Sequence, residues 1–463
     1  MIKYSCKKLI ACLLLLVSFT SIIVYAEGNA IGIVGKNGWL FVSHDISTSA
    51  DIPTTDASLD LIRRFNRVLS NNGITMALVL IPMKMRVYGE FLPANVHLNN
   101  AMIGQYDYAL KKLIPSVNVI DLKTPFMKDS NRNGGPFPLF LKLDSHWSPS
   151  GVFLAAETIK AGIEINPVLK KALDATPVDT YKLEIGKTKK TKNSHDLTSL
   201  LPPGDGQKIF PPEESLLFTV VRVPPKKSGD IPPVMLLGTS NSKPWTGFSD
   251  ALNYTLQRDL LVDTTLGEKG NWYGAEIYLR SDAFQTKPPK LLIWEMEERD
   301  LRASPSYQFR EARYRIDNTE WLLRVAALVQ ANCKPSSVNV KMNSVGLASN
   351  SANQKSGGIA AGLTTDTDFI ELNFNNPIGK LDYLSARLSN SGSTSVILEA
   401  SGSDVPTRQF TVPVPGDGIE HVFKYPLPSN GKGYTKVRIL PGKTSGFSFQ
   451  GLQVCHLPDD LLN

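Results

Sequence analysis

The chain has 463 residues, of which 42% are hydrophobic and 20% charged, with a formal net charge of +7. That length exceeds one typical core and predicts two domains, and the ordinary composition excludes a disordered or fibrous chain. Part of the positive charge lies in Met1–Ala26, where Lys3, Lys7 and Lys8 precede the apolar stretch Leu9–Tyr25. The stretch ends Val24-Tyr25-Ala26, with small residues at the −3 and −1 positions, and reads as a secretory leader covering residues 1–26. Retention of the leader as an anchor is the alternative. Cys12 precedes the apolar core rather than following it, so it is no lipoprotein signal. No later segment is apolar enough to span a membrane. Without the three leader lysines the net charge falls to +4. The mature chain keeps Cys333 and Cys455; an even pair in an exported protein predicts a disulfide, here worth roughly 4–5 kcal/mol by chain entropy.

After the leader, Gly35–Phe41 reads as a turn and a short apolar strand. Leu59–Leu69 carries Leu59, Ile62, Phe65 and Leu69 on one helical face, and Asn71-Asn72-Gly73 ends it. Thr75–Pro82 is a buried strand, Ala101–Leu113 the next helix and Val117–Leu122 the next strand. This alternation predicts an α/β domain with a parallel sheet. Leu141–Gly151 then places Asp144 and His146 two residues apart ahead of a helix over Val152–Ile163, with Ser148 as N-cap and Pro149 in its first turn. On an extended segment these two side chains share one side. The carboxylate can then fix the imidazole tautomer and leave the other nitrogen to act as a base.

Lys182–His195 is polar and basic: either a solvated loop or a rim that attracts an anionic polymer. Phe218–Val223 and Val234–Leu237 are strands. The second runs into Gly238-Thr239-Ser240 before a helix near Gly247–Asp259. A serine just past a strand and before a helix stands exposed near backbone N–H groups that can hold an oxyanion. Leu291–Glu295 is another buried strand, and Thr319–Gln330 a closing helix. From Lys334 the composition turns to Ser, Asn and Gly. Short alternating runs then follow at Phe369–Phe374, Tyr383–Leu388, Ser395–Ala400, Arg408–Val412, His421–Tyr425, Lys436–Leu440 and Gly446–Val454. They predict a β-sandwich. The Lys424–Lys443 stretch holds Lys424, Lys432, Lys436, Arg438 and Lys443 with no acid, and Tyr425 and Tyr434 lie among them. Such residues suit an acidic polysaccharide, cations pairing with carboxylates and rings lying along sugar faces; a solvated strand face is the alternative. Export argues against nucleic acid.

With these residues in hand, the chain resembles the periplasmic alginate O-acetyltransferases of the AlgX/AlgJ type, whose fold is SGNH hydrolase-like. The matching pieces are Gly38-Trp39-Leu40-Phe41, Ile81-Pro82-Met83-Lys84, Asp144-Ser145-His146-Trp147, Gly238-Thr239-Ser240 and Trp294-Glu295 with Glu298-Arg299. The cysteine-bracketed β region resembles the carbohydrate-binding module of the AlgX branch. His146 precedes Ser240, the reverse of ordinary SGNH hydrolases, and Asn241 stands where the family leads us to expect an aromatic residue. The Gly and Asn blocks of the usual oxyanion hole are not obvious. The resemblance implies a leader (1–26), an SGNH hydrolase-like acetyltransferase domain (27–333) and a β-sandwich carbohydrate-binding module (334–463). Ser240 is then the nucleophile, His146 the base and acid, and Asp144 its orienter. Lys424, Lys432, Tyr434, Lys436, Arg438 and Arg299 are the expected substrate contacts. No cofactor or metal is expected. The implied partners are alginate or a similar anionic polysaccharide, a membrane-bound acetyltransferase as acetyl donor, and other polysaccharide export proteins in the periplasm. Two alternatives use the same features: an acetylesterase, and a non-catalytic polysaccharide-binding scaffold.

Overall fold

A computed structural model of the protein describes residues 31–133, 137–186, 188–191, 196–201, 210, 213–224, 229–307, 312–347, 353–355, 358–429 and 433–463. The leader lies outside the described residues, as does Lys432. Five strands form a parallel sheet in the order Leu260–Asp263, Val234–Leu237, Leu291–Glu297, Thr75–Ile81, Asn118–Asp121. Side chains alternate across a strand, so the two faces feed separate cores. Met76, Leu78, Leu80, Leu292 and Trp294 pack with the helices Ile52–Asn71, Asn271–Arg280 and Asn318–Val329. Ala77, Val79, Ile81, Leu291 and Ile293 pack with Pro149–Ile165 and Phe248–Leu256. Burial on both faces explains why these strands read as continuous apolar runs. Phe218–Arg222 is a strand as expected, but it pairs antiparallel with Tyr181–Ile185 outside the main sheet.

The C-terminal region is two packed antiparallel sheets. One runs Val340–Val345, Phe369–Ile378, Tyr434–Leu440, Ser395–Gly402, Val405–Pro413; the other runs Asn353–Lys355, Gly358–Ala361, Gly446–His456, Asp382–Ser391, His421–Pro426. Three of these strands lie in the Ser/Asn/Gly-rich stretch, where short length and weak alternation hid them.

The two regions are joined by more than the chain. Cys333 and Cys455 form the expected disulfide, with Cα atoms 5.2 Å apart. Ser336 N donates to Val454 O at 2.9 Å and His456 N to Lys334 O at 2.7 Å. Tyr383, Cys455, Leu457 and Leu461 are buried in the core of the α/β domain rather than of the sandwich.

Candidate active site

Phe140 and Trp147 bridge, Leu141 N donates to His146 O at 3.1 Å and Ser148 N to Leu139 O at 2.9 Å. Asp144 to His146 therefore form the tip of a tight loop rather than an extended segment. The pairing comes from a local turn: Asp144 Oδ1 accepts from both the His146 backbone N–H (3.0 Å) and His146 Nδ1 (2.6 Å). Asp144 Oδ2 accepts from Asp196 N at 3.3 Å. Burial works against the Asp144 carboxylate, but hydrogen bonds and the charge of His146 outweigh it and lower its pKa. The other imidazole nitrogen, Nε2, is buried and has no hydrogen-bond partner among the described residues. Ser148 caps the helix that follows, accepting from Gly151 N at 3.3 Å.

Ser240 is half-buried at the first position of a 3₁₀ turn, Ser240–Ser242, directly after the strand Val234–Leu237. An amide at that position has no carbonyl partner within its own turn and is free to face an oxyanion. The turn is packed from two sides. A Cβ on Gly238 would lie 2.1 Å from Ser242 Oγ, and one on Gly267 would lie 2.6 Å from Ser240 N. Acids at the end of Leu291–Glu297 hold it from below. Glu295 accepts from Thr239 N (2.6 Å), Thr239 Oγ1 (2.9 Å) and Ser242 Oγ (2.9 Å), and Glu297 accepts from Asn241 Nδ2 at 2.6 Å. Burial and the neighbouring Glu297 push the Glu295 carboxyl up to about 8. Asn241 is thus buried structure, which accounts for the missing aromatic ring. Ser242 is fully buried and could not serve as an alternative nucleophile.

Two contacts bring the serine turn to the histidine loop. Trp147 Nε1 donates to Asn241 O at 3.0 Å, and the rings of His146 and Trp245 lie edge to face, centroids 4.7 Å apart. The Ser240 hydroxyl does not close a hydrogen bond onto His146 Nε2. Such bonds are often open before substrate binds. Asp144, His146 and Asp196 bring ligand atoms within 4.8 Å of one another, so a cation could be held there, but only by displacing the Asp144–His146 bond.

Lys84 lies buried beneath this loop and donates from Nζ to Lys142 O and Asp144 O, both at 2.9 Å. Its ammonium stands 5.3 Å from the Trp39 ring and 5.5 Å from Phe41. Burial lowers its pKa to about 7, against the nearby charges of Glu213, Asp144, Asp196 and Asp45. Three of the motifs read in the sequence, around Trp39, Lys84 and Asp144, thus meet at one amine. Lys84 belongs to the Ile81-Pro82-Met83-Lys84 motif, and a charge closing an apolar run is the signal that the sequence offers for it. Asp196, Trp245 and the holding role of Glu295 and Glu297 carried no such signal, because only the fold brings them together.

The expected substrate contacts fare unevenly. Arg299 is only partly exposed and pairs with Asp45, at 2.9 Å, and with Glu297, so much of its charge is balanced within the protein. Tyr434 and Tyr425 are buried and offer no face to a sugar, because alternation turns both into the sandwich. Lys424 is also corrected. Its Nζ donates to Gln330 O (2.6 Å), Gln285 Oε1 (3.1 Å) and Leu328 O (3.3 Å), capping the helix Asn318–Val329, and burial lowers its pKa to about 8. Lys436 and Arg438 are partly exposed, but cross-strand Glu371 lies 3.6 and 3.2 Å away and Glu399 reaches Arg438 at 3.5 Å. Sheet pairing supplies the acids that the linear stretch lacked.

A parallel sheet that carries an Asp–His loop and a tightly packed serine turn at its carboxyl ends, followed by a sandwich, defines an SGNH hydrolase-like domain with a β module. The family model for the SGNH hydrolase-like domain of acetyltransferase AlgX matches residues 33–298, over half the chain, and the chain belongs to that family. "Probable alginate O-acetylase AlgJ" of Pseudomonas fluorescens is 28% identical over 295 residues, 60% of this chain and 70% of that protein. The O-acetyltransferase domain of Pseudomonas putida AlgJ superposes with a TM-score of 0.53 at 25% identity, covering 65% of this chain and 99% of that one. Pseudomonas aeruginosa AlgX covers 92% of this chain and 94% of its own with a TM-score of 0.61; at 17% identity that likeness shows the fold, here across both regions.

Proposed function

We propose that the protein transfers acetyl groups to hydroxyls of a secreted polyuronate of the alginate class, through an acetyl-serine intermediate. The observation that carries the chemistry is the 2.6 Å Asp144–His146 contact, with the far nitrogen of His146 buried and unpaired beside the serine turn. The relatives' names support acetyl transfer and the polymer. In this reading His146 Nε2 takes the Ser240 proton as Oγ attacks the acetyl carbonyl. The Ser240 N–H faces the oxyanion, and the leaving group takes the proton from the imidazolium. A sugar hydroxyl then attacks the acetyl-serine and gives its proton to His146. Collapse breaks the Ser240 ester and returns that proton to Oγ. Asp144 holds the tautomer and stabilises the cation throughout.

The division into 27–333 and 334–463 belongs to the same proposal. So do a polymer-binding role for the sandwich, removal of residues 1–26 on export to the periplasm, and a membrane-bound protein as acetyl donor. The test is an activated acetyl ester assayed with and without oligouronate. Wild type should acetylate the oligosaccharide, and Ser240→Ala should lose both cleavage and transfer by about three orders of magnitude or more while unfolding at the same temperature. Retention of turnover by Ser240→Ala refutes the nucleophile. Hydrolysis that acceptor never diverts means the protein is an esterase.

A further inference from the structure

The chain has six tryptophans. Trp39, Trp147, Trp272, Trp294 and Trp321 are buried, each 3% exposed or less, whereas Trp245 is 56% exposed. Single apolar residues on a surface are ordinary. An indole is the largest such group, and leaving it in water forgoes the stabilisation that burial would give. This one stands five residues after Ser240 with its ring against that of His146, planes at 77°.

Nor is the exposure that of a loose loop. Trp245 sits in the 3₁₀ turn Pro244–Thr246, where Thr246 Oγ1 donates to both Asn241 O and Lys243 O at 2.8 Å. Gly247, at φ +78°, closes the turn in a conformation that L side chains rarely adopt. The turn is anchored again through Trp147 Nε1 on Asn241 O. Hydrogen bonds to backbone carbonyls thus hold the exposed indole against the His146 ring, whose Nε2 has no partner among the described residues. The neighbouring cation, Lys243, is engaged by Glu268 at 3.0 Å, so the site offers a ring more than a charge.

We propose that Trp245 is the platform of the acceptor subsite: a pyranose ring of the polysaccharide lies on the indole and so presents its hydroxyl to His146 Nε2. The proposal rests on the acetyl-serine reading above. The C–H groups of a sugar ring match the electron-rich aromatic face. Contact of this kind does not depend on charge. Recognition at the reacting unit should therefore be insensitive to salt, even where long-polymer affinity is not.

The five buried tryptophans make the test selective. Acrylamide quenching of the intact protein should reveal one accessible tryptophan, absent in Trp245→Phe. Short oligouronates should protect it, to the same extent at low and high salt. With 4-nitrophenyl acetate as donor, each variant's transfer rate is divided by its own hydrolysis rate. Trp245→Ala should lower that ratio about tenfold through the acceptor KM, and Trp245→Phe should keep most of it. If wild type forms acetyl-Ser240 but the oligosaccharide neither protects the fluorescence nor loses ground in Trp245→Ala, the subsite is wrong and the acetyl-serine reading stands. If no acetyl-Ser240 forms, that reading has failed first. Should Trp245→Ala not fold, quenching of wild type still decides: protection by the oligouronate supports the subsite, and no protection in a protein that still transfers acetyl to that oligouronate overturns it.

Discussion

A neutral lysine has two N–H bonds, and Lys84 faces two carbonyls, one of them that of Asp144 itself. Replacing it by methionine keeps the volume and strands both oxygens, which should cost about 2–4 kcal/mol. Its pKa near 7 lies below the unfolded value, so between about 7 and 10 the unfolded chain binds the extra proton and stability should rise with pH. Denaturant titrations at pH 7 and 9.5 should show a smaller rise in Lys84→Met than in wild type, the remainder coming from groups such as Lys424; an equal rise in both would remove Lys84 as a source. Asp144 acts in the opposite range. Its pKa is lowered, so its contribution is complete above the ordinary carboxylate value and is lost as pH falls through the folded one. The sequence showed the Asp144–His146 pair because its spacing is local. It gave the wrong conformation, since a two-residue spacing suits a turn as well as a strand. It could not show Lys84 or Trp245 at the site, whose neighbours come from elsewhere in the chain.

The strand Leu291–Glu297 ends in carboxylates that act on the turn after the adjacent strand. Glu297→Ala removes the nearer acceptor of Asn241 Nδ2 and also a partner of Arg299, without touching Ser240. The expected outcome is a fall in kcat for acetyl transfer of about tenfold or more together with a lower thermal midpoint. Unchanged kcat would mean that the turn holds its shape unaided. The five sheet strands and the main helices were legible because double burial gives uninterrupted apolar runs and amphipathic helices give a clear period. In the sandwich the later strands were legible too, but the chemistry of their exposed face was not. Glu371 faces Lys436 and Arg438 only after pairing. A double Lys436→Ala, Arg438→Ala variant should therefore weaken long-polymer binding only modestly, measured by affinity electrophoresis at two ionic strengths. A loss beyond tenfold would show that these two cations, despite Glu371, dominate recognition.

Across the whole molecule, the two regions are pinned by side chains as well as by the disulfide. Lys424 caps the last helix of the α/β domain, Arg408 pairs with Glu320 at 2.6 Å, and His421 bridges Asp282 and Asp417 at 2.8 and 2.9 Å. Burial opposes the charge on His421, but the hydrogen bonds that its ring donates to both carboxylates prevail and raise its pKa. That bridge thus stabilises fully below the unfolded value near 6.5 and fades as pH rises through the folded one. His421→Asn should flatten this part of the pH dependence. Calorimetry should show one unfolding transition in wild type and two in Lys424→Ala combined with Cys333→Ser; a single transition in the variant would mean that the Arg408 and His421 links and apolar packing suffice to couple the regions.

Residues 455–461 complete the core of the α/β domain although 122 positions separate Cys455 from its partner. The first region to be synthesised therefore lacks part of its interior until the second has been made. Without those residues an apolar patch and the Cys333 thiol are left uncovered, so the domain that carries Ser240 closes only when the strand Gly446–His456 is in place.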